Sequence, residues 1–420
     1  MKISGRKIGV LAGALCFGAS LSSCKNGASQ DIASREEVVW APNDADRALS
    51  DAQNALGFRI LKKLDTPREN LVFSPFSIAA AFALVGQGTT GKTRGEIESL
   101  LLPQGFSTAQ TLSSSAALMR GWHGADAKVQ VDIANSLWLD KAFSLKPAFV
   151  QTAKTSFDAS VRVLDLASAA PTINGWIGEK THDKIKDMIA PGALRGQMLL
   201  VANAVYFKGK WQVPFEPGAT TDGDFTLASG AKTRAPMMSL SAEKTISYAK
   251  AQNLALAALP YGNGNLSMIF VLPDKGVSLS KIVAQLDQKT WDSWMRQMET
   301  REGNVQIPRF TLKMAQPLDL VPTLRALGLN AAFAPSSDFA PMTTTPQVGI
   351  SAVNHKAWMQ VDESGTEAAA STTVDTTTAA NKALDNPPFQ FIADRPFLAA
   401  IRDNRSGSLL FLAEVNRPSQ

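Results

Sequence analysis

The chain has 420 residues, 45% of them hydrophobic and 19% charged, with a formal net charge of +5. Such a length buries a large core unaided, and its only cysteines are Cys16 and Cys24, so a disulfide scaffold or thiolate metal site further along is excluded. Residues 1–23 hold three positive charges and no acid, leaving +2 for the rest; without a Lys/Arg run, no nucleic-acid partner is expected.

Lys2, Arg6 and Lys7 precede the apolar run Ile8 to Ala19, which is too short and small-sided to span a bilayer permanently. Leu21-Ser22-Ser23-Cys24 then resembles a bacterial lipoprotein box. That reading implies cleavage before Cys24 and diacylation of its thiol, and two acyl chains are enough for stable anchoring. The alternative is an ordinary secretory signal. The expected divisions are a signal peptide over 1–23, a polar tether over 24–44 and one domain over 45–420. The expected place is the cell envelope, lipid-anchored at the outer membrane or surface of a bacterium, or otherwise outside the cell.

In the body, Asp44 to Lys63 has helical apolar spacing and Asn70 to Phe73 reads as a short strand. Ser74-Pro75 is a helix start, a capping hydroxyl before proline at the first helical position, with the helix running to about Gly86. A second helix is expected from Gly91 to Leu102. Val129 to Leu139 alternates like a strand, and Leu199 to Phe207 reads as a strand buried on both faces, interrupted only by Asn203. Ala255 to Tyr261 and Leu266 to Pro273 look like adjacent strands around a Gly/Asn turn. Val305 to Met314 alternates, Pro317 to Leu327 returns to helical spacing, and Ile392 to Ile401 and Ser408 to Val415 close the chain as strands. No repeat or linker divides the body, which indicates one large α+β domain.

The segment Val353 to Thr378 carries the most information. A strand, Ala357 to Val361, meets the acidic corner Asp362-Glu363-Ser364-Gly365 and then a long run of small residues with two acids, Glu367 and Asp375. Successive strand side chains alternate faces. If extended, one face would carry Thr366, Ala368, Ala370, Thr372, Val374, Thr376 and Thr378, without charge. Such a ribbon can enter a sheet but cannot build a core. Read by composition alone, it is equally a low-complexity loop.

The three histidines, His123, His182 and His355, lie far apart, and no metal or hydrolase motif is present, so no cofactor, metal or catalytic residue is assigned. Gly86-Gln87-Gly88-Thr89-Thr90-Gly91-Lys92-Thr93 does fit the phosphate-cradling pattern of nucleotidases. It should follow a strand, however, and here the spacing predicts a helix ahead of it.

Several motifs together resemble the serpins: Asn70 to Ile78, Gly88-Thr89, Asn203 to Trp211 with Pro214-Phe215, and Leu259-Pro260-Tyr261. Phe270 to Pro273, Pro308-Arg309-Phe310, His355-Lys356-Ala357, Glu363 to Ala370, Arg395-Pro396-Phe397 and Asn416-Arg417-Pro418 complete the set, covering about residues 45–420. The resemblance implies three β-sheets, about nine helices and an exposed reactive loop. It also implies a monomeric, non-enzymatic inhibitor, whose cut loop inserts into the main sheet and traps the protease as an acyl-enzyme. Such loop insertion is an established serpin property and comes with the resemblance alone. By resemblance, Glu363, Gly365, Thr366, Ala368, Ala369 and Ala370 form the hinge. Ser74, Ser77, Asn203 and His355 form a polar cluster beneath the sheet opening, and Trp211 packs where insertion begins. Counting seventeen residues from Glu363 puts the reactive bond at Ala379-Ala380, matching elastase-like serine proteases. Counting back from Pro387-Pro388 favours Leu384, and Lys382 would suit trypsin-like enzymes; a cysteine protease target stays open. The alternatives are a non-inhibitory binding protein of the same fold and, remotely, an envelope nucleotidase.

Overall fold

The run Leu199 to Phe207 becomes the middle of β4 (Leu199–Lys210), buried along almost its whole length inside a seven-stranded main sheet. The computed structural model describes residues 40–65, 69–123, 126–241, 244–345, 347–366 and 388–418. Beside β4 lie β2 (Val129–Asp140) and then β3 (Ser160–Leu164). On its other side come β14 (Gly365–Thr366), β13 (Ile350–Asp362) and, on the outer edge of β13, β11 (Phe310–Lys313) and β12 (Leu318–Asp319).

A second ladder runs β1 (Leu71–Phe73), β17 (Leu409–Val415), β16 (Phe397–Asp403), β9 (Leu266–Pro273), β8 (Leu254–Tyr261), β7 (Thr245–Ala251), β10 (Glu299–Pro308). At Glu302–Gly303 strand β10 changes partners. Its first half pairs with β7. Its second half pairs with β6 (Lys232–Leu240) and β15 (Phe389–Ile392), with β5 (Thr221–Thr226) beyond β6. The ladder thereby divides into two sheets, making three in all.

The described residues contain nine α-helices: α1 (Asp44–Leu64), α2 (Pro75–Gln87), α3 (Gly91–Leu101), α4 (Thr108–His123), α5 (Pro147–Phe157), α6 (Ala170–Lys180), α7 (Leu279–Gln285), α8 (Gln288–Arg296) and α9 (Val321–Ala326). The expected α+β architecture is therefore present. Side chains alternate along β4 between two environments. Val205 and Phe207 face the core shared with the second sheet, whereas Leu200, Ala202 and Ala204 pack under α6 and the segment after it.

Three expected elements change. Ile392 to Ile401 is two strands rather than one, because Pro396 lacks the N–H a ladder needs, so β15 ends at Ile392 and β16 starts at Phe397. The alternating stretch 305–314 breaks at Arg309, and only Val321–Ala326 of 317–327 is helical. The Gly86–Thr93 motif joins α2 to α3, so a helix precedes it. The start of α3 is already filled by Asp338, whose Oδ2 accepts from Thr93 N at 2.8 Å, while Lys92 pairs with Glu96. No phosphate cradle exists there, and the nucleotidase reading loses its site.

Candidate functional site at the seam between β4 and β13

β4 and β13 run parallel and pair directly from Leu199/Ile350 to Val205/Ala357. Farther on, β14 takes the place between them. Gly365 and Thr366 pair antiparallel with Lys210 and Gly209 on one side, and with Asp362 and Val361 on the other. The last residue of the corner and the first of the expected ribbon are thus already wedged into the top of the seam. Asp362 makes the reversal: its Oδ1 accepts from Ser364 N at 3.0 Å and Gly365 N at 3.2 Å, as Asx turns do. Gly365 has φ +154, and a Cβ there would sit 2.0 Å from Gly209 O, so only glycine lets the hinge approach β4 this closely.

Thr366 is completely buried, and its Oγ1 hydrogen-bonds the Tyr261 hydroxyl at 2.6 Å. Tyr261 stacks on Trp211 with ring centroids 4.4 Å apart, and burial pushes its phenol pKa up. Trp211 holds the corner twice, donating from Nε1 to Asp362 O at 2.9 Å and from its backbone N to Ser364 O at 3.0 Å. Glu363 accepts from Thr220 Oγ1 at 2.6 Å and pairs with Arg309 at 2.5 Å. Burying the Thr366 side chain fixes parity: residues two apart share a face, so the uncharged set beginning at Thr366 is the inward one for any continuation of β14. Ala368, Ala369, Ala370, Ala379, Ala380, Lys382 and Leu384 lie outside the described residues, as do Cys24 and residues 1–39.

Lower on the seam the registers place Asn135 of β2, Asn203 of β4 and His355 of β13 in one transverse row. The row lies over the N-terminus of α2, where the Ser74 side chain caps Ser77 N at 3.1 Å. Ser74 N, an obligate donor, points at His355 Nε2 at 3.0 Å, so the proton resides on Nδ1, which donates to Asn203 Oδ1 at 2.7 Å. The Asn203 amide in turn donates to Ser77 and to Asn135 Oδ1. All five residues are buried. The His355–Asn203 bond spans the seam itself. Admitting a strand would move β4 and β13 from about 4.8 Å to about twice that separation, and this bond could not survive.

Sequence reasoning missed Asn135, although its signal was the same as that of Asn203, an amide inside an apolar strand. It also missed Tyr261, Arg309 and Thr220 as hinge contacts; nothing local marks Thr220. A strap across the seam went unread as well. Beyond α6, Lys184 lies 4.6 Å from the Trp358 ring centroid, and Asp187 O accepts from Lys356 Nζ at 3.2 Å.

Burial holds the His355 imidazole down at about 3, against an ordinary 6.5. A depressed folded pKa contributes stability fully present above 6.5 and lost as pH falls toward 3, by up to about 1.4 kcal/mol per pH unit. Chemical denaturation between pH 7 and 4 should show this slope as the difference in stability between the unmodified chain and His355→Gln, since Glu414 contributes the opposite slope above about pH 4.5. Glu414 has the opposite sign. Burial, then the charge of Asp65, pushes its carboxyl up to about 8. Its contribution is complete below about 4.5 and lost as pH rises through 8, so Glu414→Gln should abolish a fall in stability between about pH 4.5 and 8.

A model of the family "Serpin (serine protease inhibitor)" matches residues 51–418. The chain is a serpin. This serpin is 32% identical over 383 residues to glia-derived nexin of Mus musculus, covering 88% of this chain and 94% of the relative. It is 32% identical over 373 residues to leukocyte elastase inhibitor of Sus scrofa, covering 86% and 96%. Among solved structures, native protease nexin-1 with heparin superposes with a TM-score of 0.79 at 29% identity, over 89% of this chain and all of that one. Human thyroxine-binding globulin superposes with a TM-score of 0.79 at 25% identity, over 90% and 100%. Serpins are in general protease inhibitors rather than catalysts, and some are non-inhibitory. Among the described residues no cluster of three or more His, Cys, Asp or Glu could hold a metal.

Proposed function

We propose that this serpin is a suicide substrate for a serine endopeptidase, with its reactive loop running from Gly365 towards Pro388. The observation that carries the reading is β14: the hinge is seated between β4 and β13 in the orientation an inserted strand requires. The target's nucleophilic hydroxyl attacks the carbonyl of Ala379, the bond to Ala380 N breaks, and the amine leaves with the proton. The ester now joins protease to inhibitor. The freed ribbon continues β14 down the seam, parting His355 from Asn203, and carries the acylated enzyme with it. Fourteen residues from Thr366 to Ala379 span about 45 Å when extended.

Ala379 fits a small specificity pocket. An elastase-like target is supported by the likeness to a leukocyte elastase inhibitor. Incubation with elastase, trypsin and chymotrypsin, followed by denaturing electrophoresis and mass spectrometry of the released C-terminal peptide, tests both points. A covalent complex through Ala379, together with a C-terminal peptide beginning at Ala380, is expected with elastase. Cleavage after Lys382 or Leu384 would move the bond, and a complex with a cysteine protease would change the target class. Cleavage without any complex would favour a non-inhibitory carrier, a reading to which the similarity to thyroxine-binding globulin gives weight.

The anchoring reading rests on Leu21 to Cys24: the mature protein is a monomer held in the cell envelope by acyl chains on Cys24. No helix among the described residues is long and apolar enough to cross a membrane. Mass spectrometry of the N-terminal peptide should find diacylated Cys24, and Cys24→Ser should release the protein from membranes; an unacylated Cys24 would remove this reading.

A further inference from the structure

The inhibitory cycle does not use Trp40, yet this residue makes a built contact with the body. Its indole packs so closely on Gly121 of α4 that a Cβ there would be 2.4 Å from Trp40 Cε3. The Arg405 guanidinium covers the ring at 4.9 Å from the centroid. Arg405 is itself fixed, donating from Nε to Asp403 Oδ1 at 3.0 Å and from Nη2 to Gly121 O at 3.2 Å. Asp403 is completely buried, and its other oxygen accepts from Trp122 Nε1 at 2.9 Å and Ser406 Oγ at 2.9 Å.

Hydrogen-bonded turns connect this dock with the hinge. Next to Arg405, Asn404 donates from N to Asn265 O and from Nδ2 to Gly264 O, each at 2.8 Å. In the same turn Gly262 N donates to Lys210 O at 2.9 Å, and Lys210 pairs with Gly365. The dock therefore lies at the hinge end of the main sheet. The opposite end, where β4 begins at Leu199, is about 40 Å away at 3.3 Å per residue.

We infer that the chain leaves the body at the hinge pole, where Trp40 is docked, Pro42 O accepts from Arg47 Nη1 at 2.6 Å and Asn43 caps α1, so that a membrane anchor at the N-terminus holds the bait beside the bilayer, within reach of proteases that act at that surface. The sixteen residues from Cys24 to the one before Trp40 reach at most about 55 Å. An exit at the far end would add about 40 Å to the distance of the bait. The biological consequence rests on the bait and lipid-anchor readings; the exit geometry rests on neither.

The geometry is tested with residues 25–420 carrying a hexahistidine tag in place of Cys24, bound to vesicles containing nickel-chelating lipid and a lipid-borne acceptor dye. Residues 25–420 contain no cysteine. Single donor labels can therefore be placed at the exposed Gln212→Cys beside the hinge or the exposed Arg195→Cys ahead of β4. Energy transfer several-fold higher from position 212 than from 195 is expected, and Trp40→Ala should change it little, because Pro42 and Asn43 stay held at the start of α1. Equal or reversed transfer with Trp40 intact would overturn the inference. On the same vesicles bearing a surface-bound protease that is trapped in solution, attachment through Arg195→Cys to a maleimide lipid in place of the N-terminal tag should slow complex formation several-fold while leaving the solution rate unchanged. Failure to trap any protease in solution would instead count against the bait reading and leave the transfer result standing.

Discussion

Cutting the loop within the ribbon, with no protease left attached, is expected to raise the melting temperature by on the order of 20 °C, a gain of roughly 10 kcal/mol or more for a domain this large. New ladder hydrogen bonds alone do not give that. Each contributes about 1 kcal/mol net, and ordering each loop residue costs about 1–2 kcal/mol. The two nearly cancel over the ribbon. The gain has to come from the intact molecule: a sheet divided at Gly365–Thr366, a corner held by Trp211 and Asp362, and a seam closed by His355 and Asn203. Calorimetry of the intact chain beside a chain nicked by a non-target protease measures the difference directly. Nicked protein melting at or below the intact value would mean that no strain is stored, and the inhibitory reading would give way to the non-inhibitory one.

Much of this arrangement was legible because buried strands and helix caps leave local signals. Ser74-Pro75 marked the start of α2, where Ser74 caps Ser77 and Pro75 occupies the first turn. The apolar run 199–207 marked β4, and the change from strand to small-residue ribbon at Asp362–Gly365 marked the corner. What stayed hidden was determined by pairing across long separations. Asn135 and Asn203 meet only because β2 and β4 are in register, 68 residues apart. Tyr261 reads as a strand residue at a turn, and nothing near it shows that its hydroxyl meets Thr366, 105 residues away. Trp40, read as part of a polar tether, turns out to be held by an arginine from the last hairpin. The helical reading of 317–327 held over Val321–Ala326 and failed at its start for the converse reason. Leu318–Asp319 had the spacing of a helix but was drawn into pairing with Asn354 and His355.

Thr366→Arg is expected to leave cleavage by the target within a few-fold of normal while lowering the yield of covalent complex at least tenfold. The physical reason lies in the pocket that the side chain occupies. Thr366 is completely buried against Tyr261, between Gly209 and Val361. An arginine there would be an unpaired buried charge, which costs several kcal/mol. The variant avoids that cost by keeping residue 366 out of the sheet, leaving the rest of the fold intact and the loop available for cutting. After the cut, however, the ribbon has to enter with residue 366 first. Delay at this step lets water hydrolyse the acyl-enzyme, and the inhibitor becomes a substrate. Two companions make the test specific. Glu367→Arg places the same charge on the neighbouring residue, which alternation directs to the other face, and should retain most of the complex. Thr366→Val preserves shape but leaves the Tyr261 hydroxyl unpaired, at a cost of about 1–3 kcal/mol, and should fall between the two. Stoichiometry of inhibition and densitometry of SDS-stable complex rank all four proteins. If Thr366→Arg traps protease as well as the unmodified chain, insertion does not begin at this residue and the seated hinge is not its starting point.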